Sequence, residues 1–257
     1  MIIGAQLYSV CTRCDSNEGI RTTFKTMKEI GYNSVQISGF AYDARKTREY
    51  ADEFDLHIGL THTEIPEIIN ETDAVIKNHQ ILGADVVGIG YPGGYLTDGV
   101  VQVEKMIADL SPAAKKLEDA GLKLAYHNHY MEFADMGGYC AMDVLYEKTN
   151  WNFTLDTGWV DFAGADAVGA VKKYASRLQY VHIKDFRAPK YENESSVDRI
   201  VPIYYGATPM DEIMQALIDV GTVKVAYVEQ DNAVQAADPY GEMKKSYDAL
   251  KIRGWTK

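Results

Sequence analysis

The sequence predicts an α/β protein of the (β/α)8 type, a TIM barrel forming a single domain over residues 1–257. Three observations carry that expectation. Short apolar runs rich in Val, Ile, Tyr and Leu alternate with longer runs whose apolar residues recur at i, i+3 and i+4. The alternation repeats eight times in 257 residues, close to the roughly 250 typical of such a barrel. Gly31, Gly83, Gly121 and Gly221 each separate a helical run from the next apolar run, where a helix C-terminus takes glycine. Strict alternation implies a parallel sheet, and eight units favour closure over an open, doubly wound sheet.

The elements follow in order. Residues 2–10 read as the first strand, with a helix through about residue 30. The second unit pairs a strand at 34–38 with a helix at 44–54, and the third a strand at 56–63 with a helix at 65–82. Strand 85–90 precedes helix 101–120, and strand 122–129 precedes a helix near 141–148. Strand 151–156 leads to helix 165–175, and strand 178–184 to helix 210–220. Strand 223–230 and helix 239–253 close the count. The longest irregular stretch, 186–208, follows the seventh strand, and a loop of that length in a compact domain is usually functional.

Composition narrows the partners. The chain has 26 Lys+Arg against 37 Asp+Glu, a net charge of −11, which disfavours nucleic acid because phosphate neutralisation needs clustered cations. No apolar run reaches the roughly 20 residues of a membrane span. The opening MIIGAQLYSV has no basic leader, so the expectation is a soluble cytoplasmic protein without a signal peptide. Three cysteines do not make a disulfide framework. Cys11 and Cys14 form a C-x-x-C, but only Cys140 remains for a zinc site, and the pair reads as an accidental motif or as two thiols near the barrel mouth.

Barrel active sites lie at the C-terminal ends of strands, which filters the polar residues. Gln6 and Tyr8 end the first strand, Gln36 and Ser38 the second, and His62 the third. His127 and His129 end the fifth with Glu132 just beyond, and Asp156 ends the sixth. His182, Lys184 and Asp185 end the seventh, and Glu229, Gln230 and Asp231 the eighth. Alternation puts His127 with His129, and His182 with Lys184, on shared faces. Asp156, His182 and Glu229 come from consecutive strands and can converge as a mixed N/O ligand set for Mn²⁺, Zn²⁺, Co²⁺ or Mg²⁺. A fourth ligand from the fifth strand is Glu132 or one of the two histidines. Singly, each of these residues reads equally well as a turn or solvated strand end; their joint placement is the signal.

Five co-ordered stretches, GAQLYSV, LAYHNHYMEF, TLDTGWV, YVHIKD and YVEQD, resemble the sugar phosphate isomerase/epimerase family of the xylose-isomerase-like barrels. That family includes inosose dehydratases and isomerases, ketose 3-epimerases, 3-dehydroshikimate dehydratases and barrel subunits that cleave 3-oxo-glycosides. The resemblance implies one divalent metal ion, most often Mn²⁺, on a Glu, Asp, His, Glu set. Carried over, the ligands are Asp156, His182 and Glu229, with Glu132 as fourth and His127 and His129 as its rivals. Many relatives read V-G-E-G where this chain reads Tyr204-Tyr205-Gly206-Ala207, which implies a different substrate rim.

Such a site implies proton abstraction beside a carbonyl, with the metal stabilising the enediolate. His127, His129 or the metal-bound Glu229 is the expected base, and Lys184 the stabiliser of oxyanion charge. Gln6, Tyr8, His62, Trp159, Phe186 and Tyr205 are the expected substrate contacts. The acidic balance, with only Lys184, Arg187 and Lys190 as cations near the mouth, favours a neutral sugar, inosose or keto-glycoside over a phosphosugar. The expected activity is a metal-dependent isomerase or epimerase; a dehydratase or lyase shares its first step. Two further readings stand beside it: an abasic-site endonuclease, which needs more metal ligands and a basic face, and a sugar-binding accessory barrel subunit. Expected partners are a small carbohydrate substrate and a second copy or an accessory subunit, with no nucleic acid and no membrane.

Overall fold

A computed structural model describes residues 1–188 and 195–256 of the chain. Eight strands form a closed parallel barrel: β1 Ile2–Gln6, β2 Ser34–Ile37, β3 His57–His62, β4 Val86–Ile89, β5 Lys123–His127, β6 Asn152–Asp156, β7 Leu178–Ile183 and β8 Val225–Val228. Each strand pairs with its sequence neighbours, and β8 closes on β1 through Ile2 opposite Val225. The expected (β/α)8 barrel is therefore present.

The main helices are α1 Asn17–Ile30, α2 Ala44–Glu53, α3 Thr72–Leu82, α4 Val103–Asp119, α5 Ala141–Lys148, α6 Thr157–Phe162, α7 Ala167–Tyr174, α8 Met210–Asp219 and α9 Pro239–Ile252. Their apolar faces pack on the outer side of the strands, as in Phe24 and Met27 of α1 and Met106 and Leu110 of α4, all fully buried. Gly31, Gly83, Gly121 and Gly221 all take positive φ, so these helices stop where glycine lets the chain turn back.

Several boundaries differ from expectation. β1 ends at Gln6 because the Gln6 side chain accepts from the Tyr8 backbone and turns the chain into a 3-10 segment, Leu7–Arg13. The expected helix 65–82 is two helices, broken at Glu71, where φ and ψ leave the helical region. Residues 96–101 form a small hairpin before α4. α6 was not expected; the Asp156 side chain caps it by accepting from the Trp159 N–H at 2.9 Å. In the 186–208 stretch, Asp185–Phe186 pairs with Ile200–Val201. Lys190 lies outside the described residues.

Inside the barrel, Tyr180 and Tyr227 form a floor with Leu60, Val86, Ala125 and Val225. Gly4 and Gly59 make room for them: a Cβ at Gly4 would lie 2.5 Å from the Tyr227 ring, and one at Gly59 2.4 Å from its hydroxyl. Ser34 Oγ meets the Tyr227 hydroxyl at 2.7 Å, and Tyr180 donates to Asp85 at 2.8 Å. The floor is satisfied and packed, so the polar residues of the opposite end face a single open mouth.

Candidate active site

The barrel register sets the site. Asp156 lies level with His182, and Gln6 with Gln36, so side chains from opposite walls reach one layer. His127, Asp156, His182 and Glu229 are all buried, and one potential ligand atom from each lies within 4.8 Å of the others. His62 forms a second such group with His127 and His182.

Each carboxylate has one oxygen committed and one turned to the cluster. Asp156 Oδ1 caps α6, while Oδ2 accepts no hydrogen bond and lies 3.2 Å from the Lys184 ammonium. Glu229 Oε1 accepts from Gln6 Nε2 at 2.6 Å, and Oε2 faces His182 Nδ1 at 2.8 Å. Across the ring, His182 Nε2 meets Gln36 Oε1 at 2.6 Å. With that carbonyl taking the Nε2 proton, Nδ1 and Glu229 Oε2 face each other as two lone-pair centres, and a proton or a metal ion resolves the contact. His127 Nδ1 is buried without a partner. Two imidazoles and two carboxylates with open lone pairs fit a divalent ion such as Zn²⁺ or Mn²⁺.

Burial dominates the electrostatics. It raises the Asp156 carboxyl, with Lys184 opposing. It also pushes Glu229 up, but Lys184, His182 and His127 together hold that carboxyl well below the usual range. Burial and the neighbouring His182 depress His127 strongly and take His62 to about 3. His129 is likewise held at about 3 by burial and by Lys184. The carboxylates of Asp156, Asp231 and Glu229 together outweigh burial for Lys184 and keep its ammonium charged.

A cavity of about 520 Å³ opens above this layer, walled by Gln6, Tyr8, His62, His129, Trp159 and Asp231 among others. His127 and Glu229 form part of its base. Among the described residues no lysine or arginine lines it.

Not every expected residue arrives there. Glu132 is fully buried but turned away: it accepts from Tyr126 Oη at 2.7 Å and from the His129 backbone at 2.8 Å, and burial raises its carboxyl. His127 stands where a strand-five ligand was sought, because β5 ends at His127 and Glu132 falls in the following 3-10 turn. Phe186 sits behind Trp159, ring centroids 4.9 Å apart, rather than on the cavity wall. Tyr205 is 61% exposed and lies in a separate hollow with Lys245 and Arg253. Cys11 and Cys14 are free thiols beyond β1, Cys14 lying 3.5 Å from Thr23 Oγ1. Gln36 and Asp231, placed at strand ends by the sequence but given no role there, join the site. That placement is the one signal that marks them.

The chain belongs to the xylose isomerase-like TIM barrel family, which matches residues 24–251. An inosose dehydratase from Geobacillus kaustophilus is 31% identical over 168 residues, 59% of this chain and 53% of that protein. The chain thus spans about half the length of this curated relative, and less of some others. A sugar phosphate isomerase/epimerase from Parabacteroides distasonis superposes with a TM-score of 0.76 at 20% identity, covering 99% of both chains. The IOLI protein, solved with a bound zinc atom, superposes with a TM-score of 0.72 at 15% identity, covering 98% of both chains. The two structural likenesses show the fold. No helix among the described residues is long and apolar enough to cross a membrane.

Proposed function

We propose that the chain is a divalent-metal-dependent enzyme that removes the proton beside the carbonyl of a neutral cyclic keto-sugar or inosose and expels the β-hydroxyl as water. The observation that carries this reading is the meeting of His127, Asp156, His182 and Glu229 in one cluster, of which His127 and Glu229 reach the base of a cavity with hydrogen-bonding and aromatic side chains in its wall. Those four residues would hold the ion, which supplies Lewis-acid polarisation of a substrate carbonyl when bound. Mn²⁺ is the expectation from the family resemblance, and zinc is what the IOLI protein holds.

The surrounding residues supply the proton handling. His129 lines the cavity with Nδ1 unpartnered and takes the α-proton as base. His62 Nδ1 lies 3.2 Å from Ser38 Oγ. With Ser38 donating, Nε2 carries the ring proton and donates a hydrogen bond to the leaving hydroxyl, which departs as water with the proton that His129 has taken. Lys184 places positive charge beside the Asp156 and Glu229 carboxylates and offsets theirs beneath the cavity. Tyr8 and Trp159 provide apolar faces for a sugar ring.

Dehydration is preferred because curated relatives with sequence likeness, among them those of Geobacillus kaustophilus and Clostridium beijerinckii, are named inosose dehydratases. An isomerase or epimerase outcome is the second reading. It is favoured by the pair of histidines, His62 and His129, each with a buried unpartnered ring nitrogen. For that outcome one ring takes the proton and the other, already protonated, supplies one to the opposite face or the neighbouring carbon.

The test begins with metal content by mass spectrometry on wild type, Asp156→Ala, His182→Ala and Glu229→Ala. About one ion per chain is expected in wild type and none in folded variants. Inososes and keto-sugars are then incubated in D₂O. Exchange at the α-carbon with loss of water supports the dehydratase, and exchange without it the isomerase or epimerase. No ion after added Mn²⁺ would overturn the reading in favour of an accessory sugar-binding barrel.

A further inference from the structure

A cation already stands on the two carboxylates of the candidate metal group. Lys184 Nζ lies 3.2 Å from Asp156 Oδ2 and 3.2 Å from Glu229 Oε2. These are the oxygens turned to the cluster once Asp156 Oδ1 caps α6 and Glu229 Oε1 accepts from Gln6; Asp156 Oδ2 has no hydrogen bond, and Glu229 Oε2 also meets His182 Nδ1 at 2.8 Å. The lysine is 1% exposed and its ammonium lies 4.8 Å from the centre of the Trp159 ring, so water does not screen it. A divalent ion on the same oxygens would meet an unscreened like charge within a few ångströms.

The lysine's hydrogen bond goes elsewhere. Nζ donates to Asp231 Oδ2 at 2.8 Å, whereas its contacts with Asp156 and Glu229 are too oblique to be hydrogen bonds. Asp231 is not one of the four clustered ligand candidates. It opens the 3-10 turn Asp231–Gln235, which is held on both sides: the Gln230 N–H donates to Ser9 Oγ at 2.9 Å, and Asn232 Nδ2 donates to the Ile200 carbonyl at 2.8 Å. A fixed carboxylate thus offers Lys184 a station beside the cluster.

We propose that Lys184 and the divalent ion compete for Asp156 and Glu229, and that Asp231 is the positioning residue that holds Lys184 aside when the ion binds. The inference rests on the metal reading above and adds to it that metal affinity is set by a lysine and its acceptor, neither of them a ligand. In the metal-free chain Lys184 neutralises the carboxylates and keeps the mouth folded.

The experiment is calorimetric titration of Mn²⁺ into the chelator-stripped full chain, as wild type, Lys184→Met, Asp231→Asn and the double variant. Lys184→Met is expected to bind Mn²⁺ at least about tenfold more tightly than wild type, and Asp231→Asn at least about tenfold more weakly. In the Lys184→Met background, Asp231→Asn should change affinity by less than about threefold. Stripped Lys184→Met should also melt below wild type and recover with Mn²⁺. Should it not fold, Lys184→Gln carries the same comparison. Binding to wild type with no gain on removing the lysine overturns this proposal and leaves the metal reading standing. An Asp231→Asn loss of equal size in both backgrounds also overturns it, because Asp231 would then act on the ion directly. No binding to any of the four chains overturns both.

Discussion

Glu132 accepts two buried hydrogen bonds, from Tyr126 Oη and the His129 backbone, and so ties the loop after β5 to its strand. Glu132→Ala leaves both donors unpaired and should cost about 1–3 kcal/mol, read as a lower melting temperature. Metal content should stay at the wild-type level while activity falls with the misplacement of His129. An ion lost without a change in melting would instead make Glu132 a ligand. Gln36 acts through His182, whose Nε2 it meets at 2.6 Å. Gln36→Leu should weaken Mn²⁺ binding by about 10–100-fold in a direct titration, the usual effect of losing the partner that orients a ligating histidine. Asp156, His182 and Glu229 were legible as a group because alternation and strand ends are local patterns. The choice between His127 and Glu132 was not, because it turns on where β5 stops pairing with β6.

His79 of α3 is buried with Nδ1 at 2.8 Å from the Val75 carbonyl and Nε2 at 2.9 Å from Thr61 Oγ1. Burial lowers its imidazole to about 4, so the folded ring is neutral. The unfolded chain, with a histidine near ~6.5, binds more protons between those two values. The contribution, roughly 3 kcal/mol, is therefore present above about pH 6.5 and lost as pH falls toward 4. Urea unfolding of metal-free protein should show a shallower acid limb in His79→Gln than in wild type; an equal slope would show that the folded ring is already charged. α6 makes a different demand. A Cβ at Gly158 would lie 2.4 Å from the Lys184 carbonyl oxygen, backbone that cannot step aside. Gly158→Ala should cost about 1–3 kcal/mol in a denaturant melt and lower metal content, because Asp156 caps the same turn. The long helices were readable from their apolar period and terminal glycines. α6 was not, since six residues are too short for a period to show.

The whole molecule carries a net charge of −11, and among its described residues no lysine or arginine lines the cavity. Its field therefore repels anionic substrates at long range, and salt screens that repulsion beyond roughly 10 Å at 0.1 M. For a neutral keto-sugar or inosose, kcat/KM should change little with ionic strength. A phosphorylated counterpart should be poorer and should improve as salt is added; a phosphosugar favoured at low salt would contradict the neutral-substrate reading. The sequence by itself determined the eightfold alternation, the parallel sheet and the end at which the polar residues gather, because each follows from burial patterns within a few residues. Only the tertiary structure decided that His127 joins Asp156, His182 and Glu229, that Glu132, Phe186 and Tyr205 do not line the same space, and that Lys184 lies between the cluster and Asp231. Those outcomes depend on the stagger of eight strands around a closed barrel, a register that no single strand encodes.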